Sequence, residues 1–404
     1  MKRIDKRLKT ERFNTKTLKT KKQKIRKIII IAVSILLSIV LFLCTTSYMV
    51  VHSYLSKMNF VTLEEESYAL AESVSSKGNE NLEDVGYDIS PEDYVEDEHI
   101  GESIMSVSDR EFDISEDKST TLAEAELDER VNKSASNLDD NLIENNKVLN
   151  ILLIGTDNYS DSEHGRSDTM MLISINKKAE TIIATSLLRD IYLQIPGGKN
   201  NRLNSAYSKG GAKLLIETIE SNFKIKIDKF ASVDFYSFID IVDTIGGITL
   251  EVTEEELPIV NDYINQINTF QDEEWNTDAL QEAGIVLLNG KQALSYSRVR
   301  YVGTDFGRTA RQRLVLELIF EKAKKLSYSQ INDLMQMVLP KITTNFSEKE
   351  LFTQILSLPD YLEYGLKSWS IPMKGTYKNV RIRGMEVLEI DFEKNIKELI
   401  GNIY

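Results

Sequence analysis

The sequence predicts an α/β fold, with helices packed around a mixed, largely antiparallel central sheet and an N-terminal transmembrane helix ahead of it. Three observations carry this expectation. Between residues 148 and 190, apolar β-branched runs alternate with polar breaks, the pattern of strands joined by loops. Downstream, segments of helical spacing are interleaved with short strand-like runs. Near the N-terminus, residues 28–51 carry no charge and follow a strongly basic flank.

Residues 1–27 hold thirteen Lys and Arg against two acidic residues, roughly +11. The 404-residue chain has a formal net charge of −14 and is 42% hydrophobic, so the remainder carries about −25. The stretch IIIIAVSILLSIVLFLCTTSYMVV at 28–51 is long enough to span a bilayer core, for which about 20 apolar residues suffice. It exceeds an ordinary signal-peptide h-region, and no small-x-small cleavage site follows closely. The basic flank keeps residues 1–27 as a cytoplasmic tail, predicting a single-pass protein of the cell membrane with its bulk outside. Cys44, the only cysteine, lies within the span, so the exported part has neither an intrachain disulfide nor a thiolate metal ligand.

Residues 52–146 are acidic, with few large apolar residues and no sustained period. This composition predicts a disordered extracellular stalk. The folded domain is expected from 147 to 404. Its first strands fall at 148–154, 170–175 and 181–188. The short polar link at 176–180 suits a hairpin. If the first link, which contains glycine, is also a hairpin, the three strands form an antiparallel meander. Asp157, Arg166, Asp168, Arg189 and Asp190 then meet at one rim of the sheet. Three carboxylates and two guanidiniums at one edge imply either mutual pairing or a charged ligand.

Beyond the meander, IPGGKNNRLNSAYSKGG reads as a loop, and GAKLLIETIESNF has helical spacing. FASVDF reads as a strand, FYSFIDIVDTI as a helix closed by Gly246 and Gly247, and ITLEVT as another strand. Residues 254–287 read as a helical insertion carrying Trp275. NGKQALSYSR suits a short helix with Asn289 as N-cap, and GRTARQRLVLELIFEKAKKL a longer one. The rest reads as helical, with a late strand near 369–371.

The second informative stretch is RVRYVGTDFGRTARQR at 298–313. It holds five arginines and no lysine, although the exported part is acidic overall. Arg308, Arg311 and Gln312 share a helix face by spacing, and Arg298 and Arg300 lie across a short loop. A solvated face or simple ion pairing would be served equally by lysine. Exclusive arginine favours planar, bidentate recognition of phosphate or carboxylate. Arginines beside carboxylates able to hold a hard divalent cation suit a diphosphate. His52, His99 and His164 are the only histidines, which disfavours zinc hydrolysis and a Ser-His-Asp triad. No GxxxxGK[ST] loop is present, and net charge and location disfavour nucleic acid.

These pieces occur in a recognisable order: NILLIGTD, GRSDTMMLISIN, SLLRD, RLNSAYSKGG, FIDIVDTIGGI, LNGKQALSYSRVR and DFGRTARQR. Together, over 148–325, they resemble the LytR-CpsA-Psr family of Gram-positive envelope phosphotransferases. The resemblance implies an extracellular domain with an apolar groove for a polyprenyl tail. It implies a donor in which a glycopolymer, such as teichoic acid or capsule, is linked to polyprenyl pyrophosphate. Its phosphate is passed to a hydroxyl of peptidoglycan in cell wall assembly. Carried over position by position, Asp157 and Asp168 hold Mg2+, or Mn2+. Arg166, Arg189, Arg298, Arg300, Arg308, Arg311 and Gln312 then grip the pyrophosphate, with Arg311 alternatively a structural ion-pair partner. Arg189, Asp190 and Asp168 are the catalytic candidates, Asp190 either orienting an arginine or taking a proton. Tyr159, Leu188 and the 254–287 insertion depart from the family pattern and bear on groove shape and acceptor choice. The alternative is a non-catalytic polyprenyl-phosphate-binding scaffold, or a regulator of wall synthesis or transcription.

Overall fold

The computed structural model describes residues 49, 51–65, 120, 121, 123–136, 141–156, 167–300 and 305–404. Most of the expected membrane span and stalk, together with Asp157, Arg166 and the side chain of Asp168, lie outside the described residues. No helix among the described residues is long and apolar enough to cross a membrane. Two units are distinguished, Met1–Lys57 and Met58–Tyr404. The described part of the first ends in a short helical stretch at 51–55. The second contains every strand and the helices from residue 124 onward.

Strands β1 (Asn59–Phe60) and β2 (Thr120–Thr121) precede helix α1 (Glu124–Ser136). Then come β3 (Val148–Thr156), β4 (Ser167–Asn176), β5 (Thr181–Leu187), β6 (Tyr192–Leu193), β7 (Asn201–Arg202) and α2 (Asn204–Phe223). Next are β8 (Lys229–Asp234), α3 (Phe235–Thr244), β9 (Ile248–Val252), α4 (Glu256–Phe270) and β10 (Gly284–Leu288). Helices α5 (Gly290–Arg298), α6 (Asp305–Ala323) and α7 (Tyr328–Val338) lead to β11 (Thr343–Thr344) and α8 (Glu348–Glu363). The chain closes with β12 (Gly365–Ile371), β13 (Tyr377–Ile382), β14 (Met385–Ile390) and α9 (Phe392–Ile403).

The main sheet has the order β1-β11-β8-β3-β4-β5-β12. β3, β4 and β5 form the antiparallel meander expected from the sequence. The sheet as a whole is not largely antiparallel, however. The pairs β3/β8, β5/β12 and β1/β11 are parallel, against antiparallel β3/β4, β4/β5 and β8/β11. β8 and β12 join the meander after crossovers through helices, and such connections bring strands in parallel.

One sheet face is packed by α2 and α9. Leu152, Leu172, Leu187 and Phe230 from the strands meet Leu215, Ile219 and Phe223 of α2 and Phe392 and Leu399 of α9. Each fully buried side chain of this kind contributes about 1.5–3 kcal/mol. The opposite face carries Ile175, Ile182, Ile151 and Ile173, packed with Tyr361 of α8 and Phe320 of α6. A second core joins α3, β9, α4, α5 and α6 through Val242, Leu250, Val260, Ile264, Tyr296 and Val315.

Four further expectations are corrected. The segment read as a loop ahead of GAKLLIETIESNF already holds a short helix from Asn204, which the non-helical backbone of Gly210 and Gly211 separates from the expected helix, α2 spanning both. The 254–287 insertion is not wholly helical: its last residues form β10, which pairs with β9. The C-terminal part holds the β13–β14 hairpin besides the late strand. Its tight turn passes through Arg383 and Gly384, both at positive φ. Finally, the acidic segment before 147 is not all spacer. Leu127 and Val131 of α1, one turn apart, are buried against Tyr192, Val380, Ile382 and Val387. Two apolar residues at helical spacing anchor a stretch whose average composition is polar.

Candidate functional site

Strand register gathers the first set of candidates. Thr156 at the end of β3 pairs with Ser167 at the start of β4 and with Asp234 at the end of β8. β5 is antiparallel to β4, so its C-terminal end, leading to Arg189 and Asp190, emerges at the same edge. The β3–β4 register shifts between Gly155, which faces Thr169, and Thr156, which faces Ser167. Asp168 is thus the extra residue of a β-bulge at the rim. Bulges bend a strand and re-aim its residues, and they recur beside active sites.

The turn carrying Arg189 and Asp190 is fixed from two sides. The Arg189 carbonyl accepts from Asn204 N at 3.3 Å, and the Asp190 carbonyl from Leu388 N at 2.8 Å. Asp190 Oδ2 lies 3.6 Å from Arg189 Nε, and its Oδ1 lies 3.4 Å from Arg202 NH1. All three side chains are 11–18% exposed, so the charges are partly desolvated but still reachable. The sequence pattern alone does not single out Arg202. It opens RLNSAYSKGG, yet a lone arginine inside an apparent loop gives no reason to pair it with Asp190.

Arg298 reaches the same edge through its support. Its guanidinium sits 5.2 Å from the ring centroid of Phe235, the residue after Asp234, and 4.6 Å from that of Tyr263 on α4. Aromatic faces attract a guanidinium, and its planar fork matches a planar anion. Helix α5, which carries Arg298, starts with a capping box in which Asn289 Oδ1 accepts from Gln292 N and Gln292 Oε1 from Asn289 N. Its first residue, Gly290, donates from its backbone N to Asp243 Oδ1 at 2.7 Å and lies directly on the backbone of Ile239, where a side chain would collide. The predicted N-cap therefore sets the position of an arginine nine residues later.

Helix α6 brings the remaining arginines alongside. Arg311 NH1 donates to the carbonyl of Val299 at 3.2 Å, between Arg298 and Arg300, and its Nε to Glu256 Oε1 at 2.8 Å. The Arg311 and Glu256 side chains are 5% and 7% exposed, so this is a buried ion pair, the structural role left open by the sequence. Arg308, one turn earlier, is 3% exposed, while Gln312 and Arg300 are half-buried. Phe306 packs against the main core and stacks on Tyr377 at 4.7 Å, placing the start of α6 beside the start of β13. Arg313 points elsewhere in function: burial pulls its pKa down, and nearby Glu317, which accepts from Ser368 Oγ at 2.6 Å, opposes that shift.

Among the described residues no three His, Cys, Asp or Glu form a metal-binding group. Asp157 and the Asp168 side chain are not among them. The backbone of the bulge at Asp168 adjoins the end of β3 at the edge to which β5 leads Arg189 and Asp190.

A second feature concerns the sheet face turned away from α2 and α9. Along β3, in the middle of the sheet, alternate residues are buried, whereas Leu149, Ile151, Leu153 and Gly155 are only half-buried. A central strand enclosed on both faces would be apolar and covered throughout. Here Leu149 and Ile151 pack against the Tyr361 cluster, and nearer the charged edge Leu153 is left partly accessible.

Several known proteins are similar to this chain. Biofilm regulatory protein A of Streptococcus mutans is 32% identical over 58% of this chain, a match spanning little more than half (59%) of that protein. The polyisoprenyl-teichoic acid–peptidoglycan teichoic acid transferase TagU of Bacillus licheniformis is 32% identical over 56% of this chain and 70% of its own length. Among solved structures, TagT bound to LIIa-WTA superposes with a TM-score of 0.51 at 25% identity, covering 64% of this chain and 90% of that one. The LytR_cpsA_psr family model matches residues 111–399, from just before the docked helix α1 to the last turns of α9, and the chain belongs to that family.

Proposed function

We propose that this protein transfers a glycopolymer phosphate from a polyprenyl-pyrophosphate carrier to a hydroxyl of peptidoglycan, at the extracellular face of the membrane. The observation that carries this reading is the arginine-rich sheet edge, where Asp190 lies between Arg189 and Arg202 and Arg298 lies over the rings of Phe235 and Tyr263. The names of the TagU relatives and the WTA-bound TagT structure support it. The uncharged run at 28–51 would hold the domain near its lipid-borne donor.

In this reading Arg189, Arg202, Arg298, Arg300 and Arg308 bind the diphosphate, with Arg166 and Gln312, and spread the charge that builds as the bond breaks. The acceptor hydroxyl oxygen bonds to the phosphorus nearest the sugar, and the bond from that phosphorus to the bridging oxygen breaks. Polyprenyl phosphate leaves, and the hydroxyl proton passes to a carboxylate, for which Asp190 and Asp168 are the candidates. Asp190 has its two oxygens turned to Arg189 and Arg202, which suits it better to orienting them than to proton removal. A Mg2+ or Mn2+ held by Asp157 and Asp168 would neutralise phosphate oxygens. The half-buried apolar face of β3 is the natural bed for the prenyl chain.

The test is a reaction of purified full-length protein, lipid-pyrophosphate glycopolymer and peptidoglycan. Release of polyprenyl phosphate with polymer on the wall material is expected. Binding of the lipid without turnover would instead favour the scaffold or regulatory role suggested by the name of the S. mutans relative.

A further inference from the structure

The 254–287 insertion ends in a loop built with unusual care. Asn261, Asn265 and Asn268, on one side of α4, each hold it. Asn261 exchanges hydrogen bonds with Leu280 N and O at 2.8 and 3.0 Å. Asn265 does the same with Asn276 N and Oδ1 at 2.7 and 3.2 Å. Asn268 Nδ2 donates to the Thr277 carbonyl at 2.9 Å. Beneath the loop Lys291, 6% exposed, donates to Asn268 Oδ1 at 2.8 Å and Glu273 Oε2 at 2.6 Å, with Asp278 Oδ2 at 3.3 Å. Asp272, Asn276 and Asp278 are held at positive φ. Asn and Asp adopt this left-handed backbone more readily than other side-chain-bearing residues, so these positions suit the turns of the loop.

What this scaffold presents is Trp275, 68% exposed, flanked by the exposed carboxylates Asp272, Glu273 and Glu274. Leaving an indole in water forgoes one of the larger burial gains a side chain offers. With the loop held in this way, its backbone needs little further ordering on binding.

Position and charge narrow the occupant. Tyr263, which carries Arg298, and Phe270, the last residue of α4, lie seven residues apart, about 10 Å along the axis. The loop is therefore at the far end of the helix whose middle supports the diphosphate edge. Glu273 is paired with Lys291, and the carboxylates of Asp272 and Glu274 repel the phosphates of an anionic polymer and of anionic lipid headgroups. They accept hydrogen bonds from hydroxyl and amide donors, while an indole face packs on the C–H face of a pyranose ring.

We propose that the Trp275 loop is a docking site for an uncharged N-acetylhexosamine glycan, holding the acceptor strand for the reaction at the arginine edge. This rests on the transferase reading for its purpose, but not for its binding chemistry. The experiment is a titration of full-length protein in detergent with chitohexaose, followed by tryptophan emission. Trp369 is the only other tryptophan and is half-buried on β12. A saturable change is expected. Trp275→Ala should weaken binding, measured by calorimetry, about tenfold or more, equivalent to about 1.4 kcal/mol, with Trp275→Phe between the two. Binding of polyprenyl pyrophosphate should be the same in all three proteins. If that lipid binding were absent throughout while the glycan bound, the transferase reading would fail and the glycan site would stand. No saturable glycan signal, equal glycan affinity in Trp275→Ala, or a Trp275-dependent association with phosphatidylcholine vesicles in its place would each overturn the proposal.

Discussion

Asp190 Oδ1 faces Arg202 NH1 at 3.4 Å, while its other oxygen faces Arg189 Nε at 3.6 Å. One carboxylate thus orients two cations that come from different parts of the chain. Arg189→Ala should abolish glycopolymer transfer, a loss of about 10²–10³ in kcat by analogy with removal of a single charge-stabilising donor. Asp190→Asn keeps the side-chain shape but removes the charge that faces both arginines. It should lower kcat less, with thermal unfolding unchanged. Normal release of polyprenyl phosphate by Arg189→Ala would remove this turn from the mechanism.

The stacking of Arg298 makes a sharper prediction than its charge. A lysine keeps the charge but loses the planar guanidinium over Phe235 and Tyr263 and the fork that matches a phosphate edge. Arg298→Lys should therefore raise KM for the lipid donor about tenfold, and Tyr263→Leu should do so more weakly, in line with about 0.5–2 kcal/mol for such contacts. Equal KM for Arg298→Lys and wild type would reduce Arg298 to a bulk electrostatic contributor.

Glu256 and Arg311 separate stability from function. Glu256 also accepts from Thr253 N at 3.0 Å, closing the first turn of α4. Glu256→Ala strands the Arg311 guanidinium in a buried site and should cost about 3–5 kcal/mol. The double replacement Glu256→Leu with Arg311→Met removes both charges and should recover most of that loss in denaturant unfolding. If the double variant still transfers polymer, Arg311 holds Val299 in place and does not grip phosphate. If it is stable but inactive, Arg311 belongs with the ligand arginines.

The acid limb of stability has a named contributor. Glu350 accepts from Lys229 Nζ at 2.7 Å and Ser347 N at 2.8 Å, which together hold its carboxyl down from an ordinary 4.5 to about 2. A carboxyl lowered in the folded state stabilises fully above its unfolded value and loses that contribution as pH falls towards the folded one. Glu350→Gln keeps the cap of α8 and removes the charge. Because the Glu350 side chain is 47% exposed, solvent screens the pair and the loss near neutral pH should stay within about 1 kcal/mol. The fall in urea midpoint between about pH 5 and about pH 3 should be shallower in the variant, and an identical slope would assign the acid sensitivity elsewhere.

How much of the fold and site was legible in the sequence depends on how local the signal is. The meander, the α3 and α5 helices and the Asn289 cap rest on periodicity and side-chain types within a few residues, and they stand as expected. The balance of parallel pairs did not follow from such signals, since β8 and β12 are placed by long crossovers. β10 was lost inside a helical pattern because GIVLL is too short to show a period, and its partner β9 lies across the whole insertion. At the site, runs of arginine and aspartate were visible as chemistry, but which cation meets which carboxylate is a tertiary fact. Nothing in the local sequence ties Arg202 to Asp190, Arg298 to Tyr263, or Arg311 to Glu256.

The bulge at Asp168 bears on the metal. Gly155 opposes Thr169 so closely that an added Cβ would meet the Thr169 Cβ at 3.0 Å, and the next pair skips to Thr156 and Ser167. Asp168 is left without a ladder partner on β3, free of the alternation that would otherwise fix its face. If this irregularity serves to hold Mg2+ with Asp157, chelation with EDTA should stop transfer, and Mg2+ or Mn2+ should restore it. Asp168→Ala should be inactive at any metal concentration, whereas Asp168→Glu should recover part of the activity with a raised metal requirement. Gly155→Ala should cost little stability if Thr169 shifts, yet weaken the metal dependence by moving the bulge. Full activity in EDTA, with Asp168→Ala still inactive, would assign Asp168 to proton transfer and leave the arginines alone to neutralise the diphosphate.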